Sequence, residues 1–319
     1  MIYSKIHSTG SYLPPKVVTN QDLEKIVDTT DEWIVARTGI KQRHFALDHQ
    51  NTSDLAFEAA SDAIKKGKVD PATIDLIIVA TSTPDLPFPN VGCLIQERLG
   101  IPACPALSLE TACSGFVYAL NIADNFIKAG QATRALIIGA ELMGRLLDWT
   151  DRSTCVLFGD GAGAVILDKS DEPGILYSHL SADGRHRALL EARPKEEGAD
   201  VHLSPAIHMA GNEVFKVAVK TLESLVDKVI KDNNLEKGDI DWLVPHQANL
   251  RIISATAKRL NMPMEQVVLT VQYTGNTSAA TVPIALDVAV SDGRIKRGQL
   301  VLLEAFGAGF TWGANLLKF

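Results

Sequence analysis

The chain has 319 residues, 46% of them hydrophobic and 22% charged, with a formal net charge of −7. This composition is that of an ordinary globular protein, and no stretch approaches the roughly 18 uninterrupted apolar residues of a membrane-spanning helix. The negative charge argues against nucleic acid as a general partner, because phosphate binding depends on clustered lysine and arginine. We therefore expect a soluble protein with no membrane or nucleic-acid partner.

The N-terminal residues and the cysteines predict a cytoplasmic protein. The first six residues alternate like a strand and lack the basic start, apolar run and cleavage site of a signal peptide. The cysteines form no C-x-x-C pair, and in a chain that is not exported they stay reduced. We expect no metal site, and free thiols at all four positions, namely Cys93, Cys104, Cys113 and Cys155.

Short apolar runs alternate along the chain with segments of helical spacing. The best helix is predicted over 212–231, with Asn212 as its N-cap and one face turned to a core. This alternation is typical of an α/β fold whose strands are buried on both faces. Strands are predicted at 74–80, 134–139 and 240–244, and further helices at 54–66, 116–129 and 249–260.

The sequence contains an internal repeat. Residues 158–167 and 306–317 are both glycine-rich turns that run into a β segment. The charged run 168–174 carries proline and glycine without apolar periodicity, which is typical of a boundary. We predict two copies of one α/β unit, 1–172 and 173–319. The first glycine turn lacks the Lys-Ser/Thr of a phosphate-binding loop, so it does not predict nucleotide binding.

Cys113 lies directly before a predicted helix, between small residues. A helix N-terminus favours a thiolate, and small neighbours let a substrate approach. The alternative is a buried cysteine that acts as a small hydrophobe, which we accept for the other three. The position of Cys113 makes it a candidate nucleophile.

His246 and Asn276 are candidate partners of Cys113. His246 ends a predicted buried strand, where functional groups of α/β sheets collect, although most histidines are structural. Asn276 precedes another predicted helix, and by itself its position is typical of an N-cap. Together the three residues match an acyl-transfer site with one nucleophile and two neutral donors.

Four motifs carry a resemblance to a known family. They are ACSGF at 112–116, PHQAN at 245–249, GNTSAA at 275–280 and EAFGAGFTWG at 304–313. In order and spacing they resemble β-ketoacyl-acyl-carrier-protein synthase III across nearly the whole chain. The resemblance implies a thiolase-like, duplicated αβαβα five-layer fold, usually dimeric, and an enzyme with no resident cofactor. It makes Cys113 the acylated nucleophile, and His246 and Asn276 the donors during malonyl decarboxylation.

The resemblance also assigns the remaining site residues. It gives the oxyanion hole for the acyl-Cys113 carbonyl to the backbone N–H groups of Cys113 and Ala308. Phe88 matches a residue that reaches the acyl pocket of the dimer partner, whereas the alternative is a loop aromatic that caps the core. Coenzyme A binding is implied for Trp33, Arg37, Arg152, Gly211, Phe215 and Asn249.

Two positions depart from the family pattern. Ala308 stands where glycine is frequent, which leaves a backbone donor intact. Tyr273 and Thr274 stand where a basic residue followed by an aromatic or histidine is common, which puts the shape of the nearby pocket in doubt.

The helix predicted after Asn249 carries basic residues on one side, and the resemblance implies docking of an acidic acyl carrier protein on the segment 247–251, with Lys216 nearby. A solvated basic face is the alternative. The predicted docking residues are Gln247, Ala248, Asn249, Leu250, Arg251, Lys216, Lys258 and Arg259.

The implied reaction joins an acyl-coenzyme A starter to malonyl carrier protein, giving 3-oxoacyl carrier protein and initiating fatty acid synthesis. Two alternatives are a secondary-metabolism homologue with another starter or acceptor and a non-catalytic acyl-binding subunit; retention of all three catalytic residues argues against the latter. A degradative thiolase needs a second cysteine near the C-terminus, and none follows Cys155.

Overall fold

The computed structural model describes residues 1–194 and 205–319. The strands in these ranges are β1 Tyr3–Tyr12, β2 Lys16–Thr19, β3 Gln42–Phe45, β4 Leu76–Ala80, β5 Ala106–Leu109, β6 Arg134–Leu142, β7 Asp160–Ser170, β8 Ile175–Ala182, β9 Leu190–Pro194, β10 Pro205–Met209, β11 Trp242–Pro245, β12 Leu300–Gly307 and β13 Thr311–Lys318. The α-helices are α1 Asn20–Leu23, α2 Asp31–Thr38, α3 Thr52–Gly67, α4 Val91–Arg98, α5 Gly115–Lys128, α6 Arg152–Cys155, α7 Gly211–Asp232, α8 Leu250–Arg259, α9 Val271–Thr274 and α10 Thr281–Ser291.

The four strands of the second large sheet correspond in order to the first four strands of the first large sheet. The first runs β1-β7-β6-β4-β5 and the second β8-β13-β12-β11. Their pairings also correspond, since β4 is parallel to β6 as β11 is to β12, and the remaining equivalent pairs are antiparallel. Both glycine turns of the sequence repeat lead into equivalent strands, β7 and β13. The proposed division into 1–172 and 173–319 rests on this repeat.

The helices and sheets stack in five layers, which confirms the thiolase-like αβαβα fold. Helices α3 and α4 cover the outer face of the first sheet, and α7 and α8 cover the outer face of the second. Helices α5 and α10 fill the layer between the sheets, where apolar side chains of both halves form one core. The central strands are buried on both faces because helices cover each side.

Helix α7 differs from the prediction at its start. It begins at Gly211, with Ala210 in the N-cap position and no side-chain cap, so the prediction that Asn212 caps it is wrong. Strand β10 runs almost directly into the helix, which places Asn212 inside the first turn. In α8 the cap is formed instead by Asn249, whose side chain accepts the N–H of Arg251 at 2.8 Å.

All four cysteines are free thiols, as expected, with Cys113 and Cys155 buried. No helix among the described residues is long and apolar enough to cross a membrane. The two helices of the central layer begin close to the predicted site: α5 follows Cys113, and α10 follows the turn that carries Asn276.

Candidate active site

One buried pocket brings together the three residues predicted from separate motifs. Cys113, His246 and Asn276 all line it. Its remaining walls are almost entirely apolar, with Glu304 as the charged exception among the described residues. They include Leu157, Phe158, Leu190, Met209, Val214, Ala218, Leu222, Ile252, Ile253 and Phe306.

Cys113 lies in a tight turn, 112–114, that leads into α5. The preceding residue, Ala112, has a left-handed φ of 45°, a strained conformation of the kind that clusters at functional sites. The thiol is 7% exposed, and burial raises its pKa to about 12. Desolvation therefore opposes the thiolate that a helix N-terminus favours.

His246 follows β11 and is held by hydrogen bonds of both its backbone and its side chain. Its backbone N–H donates to Glu304 O at 2.8 Å, which continues the pairing of β11 with β12. Its Nδ1 lies 2.6 Å from the Thr281 hydroxyl at the start of α10. Burial lowers the pKa of the imidazole to about 3. His246 is thus neutral at physiological pH and carries a single ring N–H.

Asn276 is fixed so that its amide nitrogen can point into the pocket. Its backbone N–H donates to Leu157 O at 2.9 Å, and its carbonyl accepts from Gly159 at 3.0 Å. Its Oδ1 accepts the Ser278 N–H at 2.8 Å, in part the capping role expected from sequence. Because that bond occupies the oxygen, Nδ2 is the group left to donate to a substrate.

The turn between β12 and β13 approaches the nucleophile closely. A Cβ on Gly307 would lie 2.7 Å from the Cys113 backbone nitrogen, so only glycine fits there. The next residue is Ala308. This contact supports an oxyanion hole built from the Cys113 and Ala308 N–H groups, which stays a prediction for the residues concerned.

Two buried carboxyl groups near Cys113 were missed by sequence reasoning. Burial raises the pKa of Glu304, a pocket residue, to about 8, and that of Glu141, at the end of β6, to about 7. Glu141 accepts hydrogen bonds from Thr83 Oγ1 at 2.8 Å and from the Ser82 N–H at 3.0 Å. The only feature of the sequence that could have indicated them was the presence of one glutamate within each of two apolar runs.

The raised pKa of Glu304 predicts how the free energy of unfolding changes with pH. Its pKa is about 8 in the folded chain against an ordinary 4.5, so the folded state keeps a proton that the unfolded chain loses. Its contribution to the free energy of unfolding should therefore fall from pH 4.5 to pH 8, by at most about 1.4 kcal/mol per pH unit. Glu304→Gln should remove this slope in denaturant unfolding. Glu58→Gln, at an exposed position, is the control. Equal slopes of unfolding free energy against pH in the wild type, Glu304→Gln and Glu58→Gln would contradict a raised pKa at Glu304.

A surface cleft connects Trp33 to the pocket. Its lining includes Trp33 and Arg37, and it shares further residues with the pocket of Cys113. The guanidinium carbons of Arg37 and Arg152 lie 4.5 and 5.1 Å from the Trp33 ring centroid. The structure therefore places all six predicted coenzyme A residues on or beside one path. The shared residues are Leu157, Met209, Gly211, Phe215 and Asn249.

The predicted docking residues do not form one surface. Gln247 is fully buried and bonds backbone groups of the 268–271 segment, so its side chain is unavailable to a partner, and that prediction is corrected. Arg259 pairs with Asp227. Arg251 stacks on Phe215 at 4.8 Å and lines the cleft. Lys216 and Lys258 are exposed; Ala248, Asn249 and Leu250 are half-buried between pocket and surface.

Phe88 is 85% exposed, and Leu86 in the same loop is 49% exposed. This exposure excludes the alternative in which Phe88 caps the core of its own chain.

Tyr273 and Thr274 form the end of α9 and line neither the pocket nor the cleft, so this departure from the family pattern does not change the walls of either.

A buried cysteine with neutral His and Asn partners, between the halves of a duplicated αβαβα fold, defines the class of thiolase-like acyltransferases. Family models agree: that of 3-oxoacyl-[acyl-carrier-protein] synthase III matches residues 107–184, and its C-terminal model matches residues 230–319.

Full-length relatives are similar throughout. The chain is 57% identical to the β-ketoacyl-[acyl-carrier-protein] synthase III of Xanthomonas euvesicatoria, over 100% of this chain and 99% of that one. It is 58% identical to that of Alkalilimnicola ehrlichii, over the whole of both. The crystal structure of the Aquifex aeolicus 3-oxoacyl-[acyl-carrier-protein] synthase III is 47% identical, with a TM-score of 0.94 over 99% of this chain and 100% of that one. The chain belongs to the β-ketoacyl-[acyl-carrier-protein] synthase III family.

Proposed function

We propose that the protein condenses an acyl-coenzyme A starter with malonyl carrier protein, releasing carbon dioxide and free coenzyme A and forming a 3-oxoacyl carrier protein that initiates fatty acid synthesis. One observation carries the residue-level proposal: the cleft from Trp33 leads to the pocket in which Cys113, His246 and Asn276 meet. A thioester on a long carrier arm can enter along this path with its head group outside.

In the first half-reaction the acyl group moves to Cys113. The sulfur bonds to the thioester carbonyl carbon, the bond to the coenzyme A sulfur breaks, and the thiol proton ends on coenzyme A. The developing oxyanion lies where the Cys113 and Ala308 N–H groups would donate. Trp33 and the guanidinium groups of Arg37 and Arg152, which lie over its ring, offer planar surfaces for adenine stacking and positive charge for phosphate pairing.

In the second half-reaction a malonyl thioester loses carbon dioxide, and the electron pair moves onto its thioester oxygen. The imidazole N–H of His246 and Nδ2 of Asn276 stabilise this charge. The enolate carbon then attacks the acyl-Cys113 carbonyl, and the cysteine leaves and is reprotonated. Because neither donor is charged at neutral pH, they favour the enolate without holding a carboxylate as tightly as a cation would. No resident cofactor or metal takes part.

The proposal is tested by mixing the purified protein with acyl-coenzyme A and malonyl carrier protein. We expect a 3-oxoacyl carrier protein and one carbon dioxide for each coenzyme A released. Acyl transfer to the carrier without carbon dioxide release would replace the condensing function with simple acyl exchange.

We propose that the acidic carrier contacts the exposed Lys216 of α7 and Lys258 of α8, two helices that pack against each other. Neither lysine has an ion-pair partner among the described residues. Arg251 is left out of the test because it lines the cleft that coenzyme A enters.

The double variant Lys216→Glu with Lys258→Glu should raise the Michaelis constant for malonyl carrier roughly 10-fold, because two charge reversals oppose an acidic partner. Loading from acyl-coenzyme A should be nearly unchanged, and the salt dependence of condensation should weaken. Lys65→Glu with Lys68→Glu, around the end of α3 in the opposite outer layer, is the matched control. Equal effects of the two double variants would show that Lys216 and Lys258 are merely solvated.

A homodimer and a cytoplasmic location complete the proposal. The exposed Phe88 and Leu86 form an apolar loop, and β5 is an edge strand of the first sheet, so both can be covered by a second copy. Phe88 would then line the partner's acyl pocket.

A further inference from the structure

The His246 ring has one hydrogen-bond partner within the described ranges. Its Nδ1 lies 2.6 Å from Thr281 Oγ1, and the two residues are only 8% and 1% exposed. One comes from the end of β11 and the other from the first position of α10. The contact therefore joins the strand that carries the histidine to the helix that follows the Asn276 turn.

The direction of this hydrogen bond decides what His246 can do. The neutral imidazole has one N–H, carried by either Nδ1 or Nε2. If Thr281 accepts from Nδ1, then Nε2 presents only a lone pair to the pocket. If Thr281 donates to Nδ1, then Nε2 keeps the proton and can donate to a substrate oxygen.

The surroundings of Thr281 favour donation to His246. Its hydroxyl has one proton and two acceptors in reach, His246 Nδ1 at 2.6 Å and Ser278 O at 2.9 Å. Ser278 O already accepts the backbone N–H of Thr281. The carbonyl is therefore satisfied without the hydroxyl, whereas Nδ1 has no other donor among the described residues.

We propose that Thr281 is a positioning residue that holds His246 in the Nε2–H form by donating to Nδ1. The hydroxyl thereby makes the imidazole a hydrogen-bond donor toward the pocket. This inference rests on the proposed function, because decarboxylation is the step that needs such a donor. Acyl loading of Cys113 does not depend on it.

Thr281→Val keeps the branched shape and removes the hydroxyl. We expect decarboxylation of the malonyl substrate to slow on the order of 10- to 100-fold, as when the partner that orients a histidine is deleted, while acyl loading is nearly unchanged. Thr281→Ser retains the hydroxyl and should restore most of the decarboxylation rate. A purely structural role would instead lower both half-reactions together, with Ser no better than Val.

Nitrogen-15 NMR of histidine-labelled protein reads the tautomer directly, with His246→Gln identifying the resonances. The wild type should show a protonated Nε2 and an unprotonated Nδ1. A protonated Nδ1 in the wild type, or wild-type decarboxylation by Thr281→Val, would overturn the proposal. If the wild type decarboxylates nothing, the proposed function fails, and the NMR result still decides the tautomer.

Discussion

Alanine at His246 or at Asn276 should slow decarboxylation of the malonyl substrate on the order of 10²- to 10³-fold, the cost of deleting one oxyanion donor. Each side chain is held by a hydrogen bond, which leaves Nε2 of His246 and Nδ2 of Asn276 to face the substrate. Transfer of the acyl group from coenzyme A to Cys113 should change far less, because its oxyanion is bound by backbone groups.

The two half-reactions are measured separately, loading by intact mass and decarboxylation by carbon dioxide release. Asn276→Asp is a useful companion variant, since it keeps the Oδ1 acceptor for Ser278 and replaces the donor by a second oxygen. It should decarboxylate as poorly as Asn276→Ala. Equal loss of both half-reactions in the alanine variants would contradict the division of labour.

Gly307→Ala should impair acyl loading itself. The added Cβ would lie 2.7 Å from Cys113 N, 3.0 Å from Ser114 N and 3.1 Å from Cys113 Cβ. Backbone cannot yield as a flexible side chain can, so the turn at Ala308 must move away from Cys113. We expect at least a 10²-fold lower loading rate, comparable to the loss of an oxyanion donor, and a stability loss of about 1–3 kcal/mol from overpacking.

Gly238→Ala is the matched control, because a Cβ there meets no atom within 4 Å. It should load at the wild-type rate. Wild-type loading by Gly307→Ala, with the fold intact, would mean that the oxyanion is not bound between these two turns.

The sequence predicted the elements with strong periodicity and the motifs at their ends. Helix α7 was expected over 212–231 and spans Gly211–Asp232, since its apolar face repeats over several turns. The predicted N-cap of this helix was wrong because β10 leads almost directly into the helix, and no polar residue stands at the N-cap position. Such a connection depends on tertiary structure and leaves no local pattern.

The electrostatics of the site could not be read from local sequence. A helix start favours a thiolate, yet β12 and the 278–280 turn pack against the 112–114 turn, and the burial of Cys113 raises its pKa although a hydrogen bond with Ser278 lowers it. Gln247 was predicted to contact the carrier, and it is instead fully buried and hydrogen-bonded to the 268–271 segment. These outcomes depend on elements distant in sequence, which periodicity does not describe.

The most direct test of the account is the mass of the intact protein after incubation with acyl-coenzyme A alone. We predict the addition of one acyl group per chain, mapped to Cys113, absent from Cys113→Ala and retained by Cys155→Ala, which removes the other buried thiol. Stable acylation that persists in a folded Cys113→Ala protein would contradict Cys113 as the nucleophile.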